Sequence, residues 1–139
     1  MSGFELGGVD LRRHLLEAVL GFWERHGIDR RYGGFLTLLN RDGTTFGQGE
    51  KYLVMQTRMI YSFSTGYMLS QEEKHLKLAE QGVEFFLRNL WDSQNEGWVY
   101  STTREGKPIE KAKFPYGHAF AVYALGEYCR ASGDREALK

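Results

Sequence analysis

The strongest constraint on this sequence is an internal repeat. Comparing the 139-residue chain with itself at an offset of 63 aligns Trp23 with Phe86, Phe35 with Trp98 and Arg41 with Arg104. After a one-residue deletion the offset becomes 62, and it aligns Lys51 with Lys113, Tyr61 with Tyr123 and Ser70 with Ser132. An internal repeat is typical of folds that stack one supersecondary unit on the next. We place repeat 1 at about 10–69, repeat 2 at about 70–132 and the start of a third repeat at about 134–139.

Each repeat contains two kinds of helical pattern. Residues about 10–26 and 71–91 carry apolar side chains along one face and charged side chains along the other, which predicts half-buried helices. Residues about 49–69 and 116–130 are apolar almost all round, so these helices require burial on most sides. The segments between these helices contain several glycines, which predicts short hairpin-like loops. Ser70 followed by Glu73 predicts a capping box at the start of the second half-buried helix.

The alternation of half-buried and wholly buried helices predicts an all-α fold of two concentric layers, an α/α toroid. Two helical hairpins cannot close a ring. Residues 134–139 have the pattern of an N-cap and first turn of a third outer helix, so we interpret residues 1–139 as a single incomplete domain of a truncated chain. The alternative is a self-contained four-helix bundle built from a duplicated hairpin, with Asp134 onward as a tail.

Composition excludes several classes of function. Lys plus Arg and Asp plus Glu each total 18, so no basic surface for nucleic acid is expected. Charged residues interrupt the apolar N-terminal stretch, which argues against a signal peptide or a membrane span. The single cysteine, Cys129, cannot form an intramolecular disulfide and fits a reducing compartment, which predicts a cytoplasmic protein. Neither a metal site nor a cofactor-binding motif is visible in the sequence.

Three residues on the apolar helices are candidates for a pocket. Arg58 is permanently charged and costly to bury without a carboxylate or an oxygen-rich ligand, so it either binds a ligand or pairs with a residue such as Glu127 or Glu84. Tyr116 could offer its hydroxyl and ring to a sugar, or fill the core. His118, in the repeat position of Gln56, is a substrate-binding candidate, although a lone histidine on an apolar helix is usually structural.

Two further pairs recur in both repeats and are interpreted as structural. Lys51 and Lys113 begin the apolar helices, where their charge opposes the helix dipole, so another group must hold them. Phe35 and Trp98 lie in the glycine-rich turns and are expected to cap the pocket mouth or separate the hairpins.

Three motifs together resemble a known family. They are YGGFLTLLNRDG from Tyr32, K-x-x-x-x-Q-x-R-x-x-Y-x-F-S from Lys51 to Ser64, and YGHAFAVYALGEY from Tyr116. The chain from about Leu15 to Lys139 resembles the N-acylglucosamine 2-epimerase superfamily, which includes cellobiose 2-epimerases and the mannose and sulfoquinovose aldose-ketose isomerases.

The resemblance implies an (α/α)6 barrel, of which this chain would form the first two hairpins, since six units of ~62 residues come to ~370 residues. It implies that Arg58 binds substrate oxygens near the reacting carbons and that Tyr116 contacts the sugar. The place of His118 varies in the family, where glutamine is also common. The implied reaction passes through an enediolate, needs no cofactor, and uses histidines on later inner helices as proton shuttles.

None of the four histidines in this chain matches those proton shuttles. We therefore expect the N-terminal fragment of a sugar 2-epimerase or aldose-ketose isomerase, with a small-molecule sugar as partner and without activity on its own. One alternative is a non-catalytic sugar-binding remnant that self-associates, or pairs with a partner, through exposed inner helices. Another is an (α/α)6 glycoside hydrolase or lyase, but its two pocket carboxylates are not apparent, because Glu50 and Glu127 lie at opposite ends of their helices. The sugar, and the choice between epimerase and isomerase, stay open.

Overall fold

The computed structural model describes residues 5–6 and 9–136, and within them the long elements are all helical. The first outer helix is continuous and consists of α1 (Leu11–Arg13), a π-helical segment (His14–Leu20) and α2 (Gly21–His26). It is followed by the inner helix α3 (Leu53–Ser70), the outer helix α4 (Glu73–Asn89) and the inner helix α5 (Pro115–Ser132). The predicted all-α architecture and the order outer, inner, outer, inner are confirmed. The π-helical segment was not predicted.

Strands in the described residues are two residues long. β1 (Glu5–Leu6) pairs antiparallel with β2 (Val9–Asp10) ahead of the first helix. β3 (Lys51–Tyr52) pairs antiparallel with β4 (Ser101–Thr102). Because β3 leads into α3 and β4 belongs to the turn region of repeat 2, this second ladder joins the two repeats.

The ends of α5 follow ordinary capping chemistry. The helix begins at Pro115, where the missing N–H of proline would have no intrahelical partner. It ends at Gly133, which takes a left-handed conformation with φ 77° and donates its N–H to the carbonyl of Cys129. Glycine is favoured at this position because it has no side chain to clash with the backbone.

The predicted capping box at Ser70 is wrong. Ser70 is the last residue of α3, and Gln71 follows in a left-handed conformation with φ 60°. The chain therefore turns within two residues, and α4 begins at Glu73 with Glu72 as its N-cap and no side-chain capping bond. The Ser70 hydroxyl instead accepts the N–H of Glu72 at 3.1 Å.

The core lies between the two layers, with α4 packed across α3 and α5 beside α3. Gly82 of α4 makes this packing close, because a Cβ atom at that position would overlap the ring of Phe35. Phe35 itself is fully buried and stacks on Phe63, with ring centroids 5.7 Å apart. Phe63 is also fully buried, as are Leu20, Leu53, Ile60, Phe86 and Leu90.

The internal repeat is visible in the hydrogen bonds of the turns. Asp29 donates its N–H to the carbonyl of Gly34 at 3.1 Å, and Asp92 donates its N–H to that of Gly97 at 2.9 Å. The isolated bridge between Ile28 and Phe35 recurs between Trp91 and Trp98. The two turn regions thus share one backbone conformation, 63 residues apart.

The inner helix α5 is less covered than α3. On α5, Val122 is 63% exposed, Tyr123 52% and Tyr116 49%. The third outer helix expected from Asp134 falls partly on residues 137–139, which lie outside the described residues. In the part that is described, the Asp134 carboxylate accepts the N–H of Glu136 at 2.8 Å, as an N-cap would.

Candidate functional site

Arg58 lies on the exposed face of α3, beside α5. Its guanidinium carbon is 5.1 Å from the ring centroid of Phe120, within the range of a cation–π interaction. Among the described residues Arg58 forms no salt bridge. The anticipated pair with Glu127 is absent, since that carboxylate binds Arg130 at 2.9 Å and the Thr65 hydroxyl at 3.0 Å. The guanidinium is therefore held in place from one side and open to a ligand from the other.

Aromatic side chains of α5 form a shallow groove next to Arg58. The groove has a volume of about 370 Å³ and is lined by Tyr116, Ala119, Phe120 and Tyr123. These residues share one face because they are spaced three and four positions apart on a helix. Tyr123 stacks on Tyr61 of α3, with ring centroids 4.1 Å apart and planes 8° from parallel. Such a surface offers flat apolar faces for a ring-shaped ligand and hydroxyl groups for its polar edges.

Tyr116 stands at the start of the groove, in the first turn of α5. Its side chain is 49% exposed, and its ring lies 6.0 Å from that of Phe114. A hydrogen bond with the Tyr100 hydroxyl raises the pKa of Tyr116. The phenol is therefore protonated at neutral pH, and it can act as a hydrogen-bond donor and acceptor rather than as a base.

His118 is turned away from the groove. Two residues along a helix correspond to a rotation of roughly 200°, so His118 and Tyr116 lie on different faces of α5. The Nε2 atom of His118 accepts the backbone N–H of Trp98 at 3.1 Å, and Nδ1 lies 3.1 Å from the carbonyl of Phe114. These two bonds fix the neutral tautomer with the proton on Nδ1. The predicted substrate-binding role would require His118 to give up one of them.

The repeat partner of His118 makes the equivalent contact. Gln56 is fully buried, accepts the N–H of Phe35 at 2.9 Å and donates to the carbonyl of Phe35 at 2.7 Å. Phe35 and Trp98 are themselves repeat partners. In each hairpin, one polar side chain of the inner helix is thus hydrogen-bonded to the backbone of the aromatic residue in the turn.

The other histidines are also distant from the groove. His75 is buried in the outer layer, where burial lowers its pKa and its Nδ1 lies 3.0 Å from the Ser70 hydroxyl. His26 packs on Phe22, with ring centroids 4.9 Å apart. His14 is exposed on the first outer helix. None of these rings is placed to move a proton near Arg58.

Lys51 is held by a buried polar cluster that sequence reasoning did not find. Its ammonium is 2.9 Å from the Asp29 carboxylate, and it donates to the carbonyls of Gly33 at 2.6 Å and Arg104 at 2.8 Å. Arg104 in turn binds Asp29 through two bonds of 2.9 and 3.2 Å. Burial alone would raise the pKa of Asp29, but the hydrogen bonds from Arg104 and Lys51 outweigh it and lower the pKa to about 2.

The ion pair of this cluster recurs in repeat 2, where Lys113 pairs with Asp92 at 2.9 Å. The signal for this partner was present in the sequence, because Asp29 and Asp92 match at the offset of 63. The groove residues Phe120 and Tyr123 were also missed, although they follow Tyr116 at helical spacing.

Two negative findings apply to residues 5–6 and 9–136. No group of three or more His, Cys, Asp or Glu side chains there could hold a metal ion. No helix in that part of the chain is both long and apolar enough to cross a bilayer.

The comparison with protein families decides the relationship. The sequence model of the family described as N-acylglucosamine 2-epimerase (GlcNAc 2-epimerase) matches residues 33–139. The chain belongs to this family. The predicted resemblance is thus confirmed. Arg58 and the residues of the α5 groove lie within the motifs on which that resemblance was based.

Relatives within and around the family agree with this assignment. The cellobiose 2-epimerase of Dictyoglomus turgidum is 30% identical over 129 residues, which are 93% of this chain and 33% of the relative. The structure of the cellobiose 2-epimerase from Spirochaeta thermophila matches with a TM-score of 0.86 and 34% identity, covering 92% of this chain and 31% of that one. A family 76 glycoside hydrolase (mannosidase) from Bacteroides thetaiotaomicron, at 19% identity and a TM-score of 0.70 over 91% of this chain and 35% of that one, shares the fold alone.

These comparisons settle the architecture. The solved relatives are (α/α)6 barrels, and the chain supplies two helical hairpins of that fold, as predicted. It spans about a third of the length of the relatives that it matches. The exposed face of α5 is accordingly a barrel surface, and the alternative of a four-helix bundle is not supported.

Proposed function

We propose that this chain forms the arginine-bearing wall of a sugar pocket in a 2-epimerase or aldose-ketose isomerase. The observation that carries the proposal is Arg58, a cation on an inner helix that is held over Phe120 and has no carboxylate partner among the described residues. The family of this chain also supports the proposal, because the relatives that it matches are sugar 2-epimerases.

The reaction we propose begins with an open-chain sugar. A base removes the proton on the carbon next to the carbonyl, and the electron pair moves to the carbonyl oxygen and leaves an enediolate. Return of the proton to the opposite face of the same carbon gives the epimer, whereas protonation of the neighbouring carbon gives the aldose-ketose isomer. Both routes need a donor at the oxygen that becomes negative.

Arg58 suits that donor role. A guanidinium that points at the developing oxyanion stabilises the transition state more than the uncharged carbonyl of the substrate. Its planar fork can bind two neighbouring oxygens together, which holds the enediolate planar. Tyr116 and Tyr123 would pack against the sugar and hydrogen-bond to its hydroxyl groups.

Under this proposal, these 139 residues do not supply the groups that transfer the proton. His118 is bonded at both ring nitrogens, and the other three histidines lie away from the groove. We therefore propose that the chain alone binds sugar without turning it over, and that the acid and base come from a further part of the barrel. Pairing through the exposed inner helices would bring such a part into place.

A glycoside hydrolase is the weaker candidate. That chemistry needs two carboxyl groups on either side of the scissile bond. The residues that line the groove are aromatic or alanine, and Glu127 is engaged by Arg130 and Thr65. The likeness to the mannosidase concerns the fold and carries no argument for its activity.

For location, we propose the cytoplasm. Cys129 is a free thiol in the structure, which fits a reducing compartment.

The experiment that tests the proposal is saturation-transfer NMR on the 139-residue chain with glucose, cellobiose and N-acetylglucosamine, run in D2O. We expect transfer to at least one of the sugars and no deuterium uptake at its C2 carbon. Arg58→Ala should abolish the transfer. Arg88→Ala, which removes an exposed arginine of α4, is the matched control and should leave the transfer unchanged.

Equal transfer to wild type and Arg58→Ala would contradict the pocket assignment. Deuterium uptake at C2 with the wild-type chain would contradict the absence of proton-transfer groups. The sugar with the strongest transfer would identify the substrate class.

A further inference from the structure

The two inner helices contact each other through equivalent positions of the repeats. Three pairs of residues, each 62 positions apart, are in contact: Arg58 with Phe120, Tyr61 with Tyr123, and Thr65 with Glu127. Because the contacts advance together along both helices, α3 and α5 run parallel, and the members of each pair lie at the same height. The spacing of three and four residues puts all three contacts on one face of α3.

The groove of α5 ends at the second of these contacts. It is lined from Tyr116, in the first turn of α5, to Tyr123, which is about 10 Å further along a helix that rises 1.5 Å per residue. Beyond Tyr123 the seam between the helices is occupied by polar bonds. The Glu127 carboxylate accepts the Thr65 hydroxyl at 3.0 Å and the Arg130 guanidinium at 2.9 Å, and Glu127 is only 7% exposed. The groove is therefore open at the start of α5 and closed at Tyr123.

The two tyrosines at the closed end are held by two interactions. Their rings stack with centroids 4.1 Å apart and planes 8° from parallel. A hydrogen bond between the hydroxyl groups of Tyr61 and Tyr123 raises the pKa of Tyr123. A pair that is fixed both at the ring and at the hydroxyl presents a surface of defined position to whatever enters the groove.

The distance from Arg58 to this pair leaves little room. Tyr61 follows Arg58 by three residues, which is about 4.5 Å along α3. Carbon atoms in contact are already about 3.5–4.0 Å apart, so roughly one carbon fits between the level of the guanidinium and the tyrosine rings. In the opposite direction, Tyr116 precedes Phe120 by four residues, about 6 Å, and the groove is open beyond it.

We propose that Tyr61 and Tyr123 form the floor of the sugar pocket and determine that the sugar reacts at the end of its carbon chain. The inference rests on the proposed function, in which Arg58 binds the oxygens of the two reacting carbons. With those carbons beside Arg58, C1 lies against the tyrosine rings, and the chain from C3 onward extends along the groove towards Tyr116. A substituent on C4 then fits, whereas a substituent on C1 meets the floor. The two tyrosines are thus specificity-determining residues that take no part in proton transfer.

The test uses two open-chain probes that differ only at C1. One is cellobiitol, which is glucitol with a glucosyl group on O4, and the other is its 1-O-butyl ether. Saturation-transfer NMR on the 139-residue chain measures the affinity for each. We expect the wild-type chain to bind the ether at least about tenfold more weakly, because a butyl group at the floor overpacks the site. Within cellobiitol, the protons on C1 and C2 should receive more saturation than those of the glucosyl ring.

Two substitutions open the floor. Tyr123→Ala removes the ring that lines the groove, and Tyr61→Ala removes the ring that stacks on it. The first should abolish the difference between the two probes, and the second should reduce it. A gain in binding of the butyl ether relative to cellobiitol cannot result from unfolding, since an unfolded chain would lose both probes together.

Two further variants are controls. Tyr123→Phe keeps the ring and loses only the hydroxyl, so it should discriminate against the ether as the wild type does. Tyr67→Ala removes a tyrosine that lies six residues beyond Tyr61, a rotation of roughly 240°, where its hydroxyl donates to Glu73 of the outer layer. Discrimination should be unchanged in that variant.

The outcomes separate this inference from the proposed function. If the wild-type chain does not bind cellobiitol, or if Arg58→Ala binds it equally well, the proposed function is wrong and the floor is wrong with it. If cellobiitol binds in an Arg58-dependent manner but the wild-type chain binds the butyl ether equally tightly, the proposed function stands and the floor is overturned. Tyr123→Ala and Tyr61→Ala variants that both discriminate like the wild type would overturn the floor in the same way.

Discussion

The Lys51 ammonium lies 2.9 Å from the Asp29 carboxylate, and both side chains are fully buried. The pair is completed by Arg104 from the other hairpin, so it joins the two repeats at the point where the first inner helix begins. A buried charge that loses its partner is strongly destabilising, since nothing replaces the water that it gave up on folding.

We therefore predict that Lys51→Met lowers the free energy of unfolding by about 3–5 kcal/mol. Lys113→Met is the matched control at the repeat position. Its pair with Asp92 is partly exposed, so the loss there should be only about 1 kcal/mol. Urea unfolding followed by circular dichroism measures both. Equal losses at the two positions would contradict the difference in burial.

The same cluster predicts a pH dependence. The pKa of Asp29 is about 2 in the folded chain, whereas that of an unperturbed aspartate is 3.8, so the unfolded chain takes up the proton first as the pH falls. The stability contributed by this carboxylate is therefore complete above about pH 4 and is lost between about pH 4 and pH 2. At 1.36 kcal/mol for each pKa unit, the loss is about 2 kcal/mol.

The measurement is urea unfolding at pH 7, 4, 3 and 2.5, with Asp29→Asn as the comparison. That variant should be less stable at pH 7 and lose less on acidification than the wild type. A wild-type chain and an Asp29→Asn chain with parallel pH profiles would show that another group governs acid unfolding.

His118 supports a third prediction, because its repeat partner Gln56 is hydrogen-bonded to the backbone of the equivalent turn. Removal of the side chain in His118→Ala leaves the Trp98 N–H without its partner and should cost about 1–3 kcal/mol. His118→Gln should recover most of that loss, since glutamine already makes this contact at the first repeat. Sugar binding, measured by NMR, should survive in His118→Gln if the residue is structural and be lost if it contacts the substrate.

The sequence predicted the features that its own periodic patterns determine. Helical periodicity depends on residues close together in the chain, and the repeat emerges when the sequence is compared with itself. Together they predicted the order of helices and the structural interpretation of Lys51, Phe35 and Trp98. The capping box failed because Ser70 and Glu73 have the right spacing, but the preceding helix extends through Ser70 and leaves it no room to act as an N-cap.

The rest of the site depends on contacts between distant segments. The partner of Lys51 is 22 residues away in a turn, and Arg104 comes from the other repeat. The orientation of His118 follows from the position of the Trp98 turn, which periodicity does not specify. Arg58 was expected to bind a ligand or to pair with a residue such as Glu127 or Glu84, on a helix buried on most sides. Its exposure depends on how many hairpins surround α3, and no local pattern encodes that number.

Gly82 and Gly126 offer a matched pair of helix substitutions. A Cβ atom at position 82 would overlap the ring of Phe35, whereas one at position 126 would meet nothing within 4 Å. Gly82→Ala should therefore destabilise the chain by about 1–3 kcal/mol through overpacking. Gly126→Ala should stabilise it by up to about 1 kcal/mol, the helix-propensity difference between the two residues. Thermal unfolding of both variants measures the signs, and two shifts of the same sign would contradict the packing described at Gly82.

The last prediction separates the effect of Arg58 on binding from any effect on folding. Within the described residues Arg58 is exposed and has no carboxylate partner, so Arg58→Ala should lower the free energy of unfolding by no more than about 1 kcal/mol, the value of an exposed cation–π contact. Arg58→Lys keeps the charge but loses the planar fork, so sugar binding should be weakened rather than abolished. Phe120→Leu removes the ring beneath the guanidinium, worth about 0.5–1 kcal/mol at an exposed site, and should weaken binding by about two- to fivefold. Titration of the sugar followed by NMR ranks the three variants.

Binding that fell equally in Arg58→Lys and Arg58→Ala would show that the fork, and not the charge alone, is required. If Phe120→Leu bound as tightly as wild type, the aromatic ring would have no part in holding Arg58 in position for the ligand.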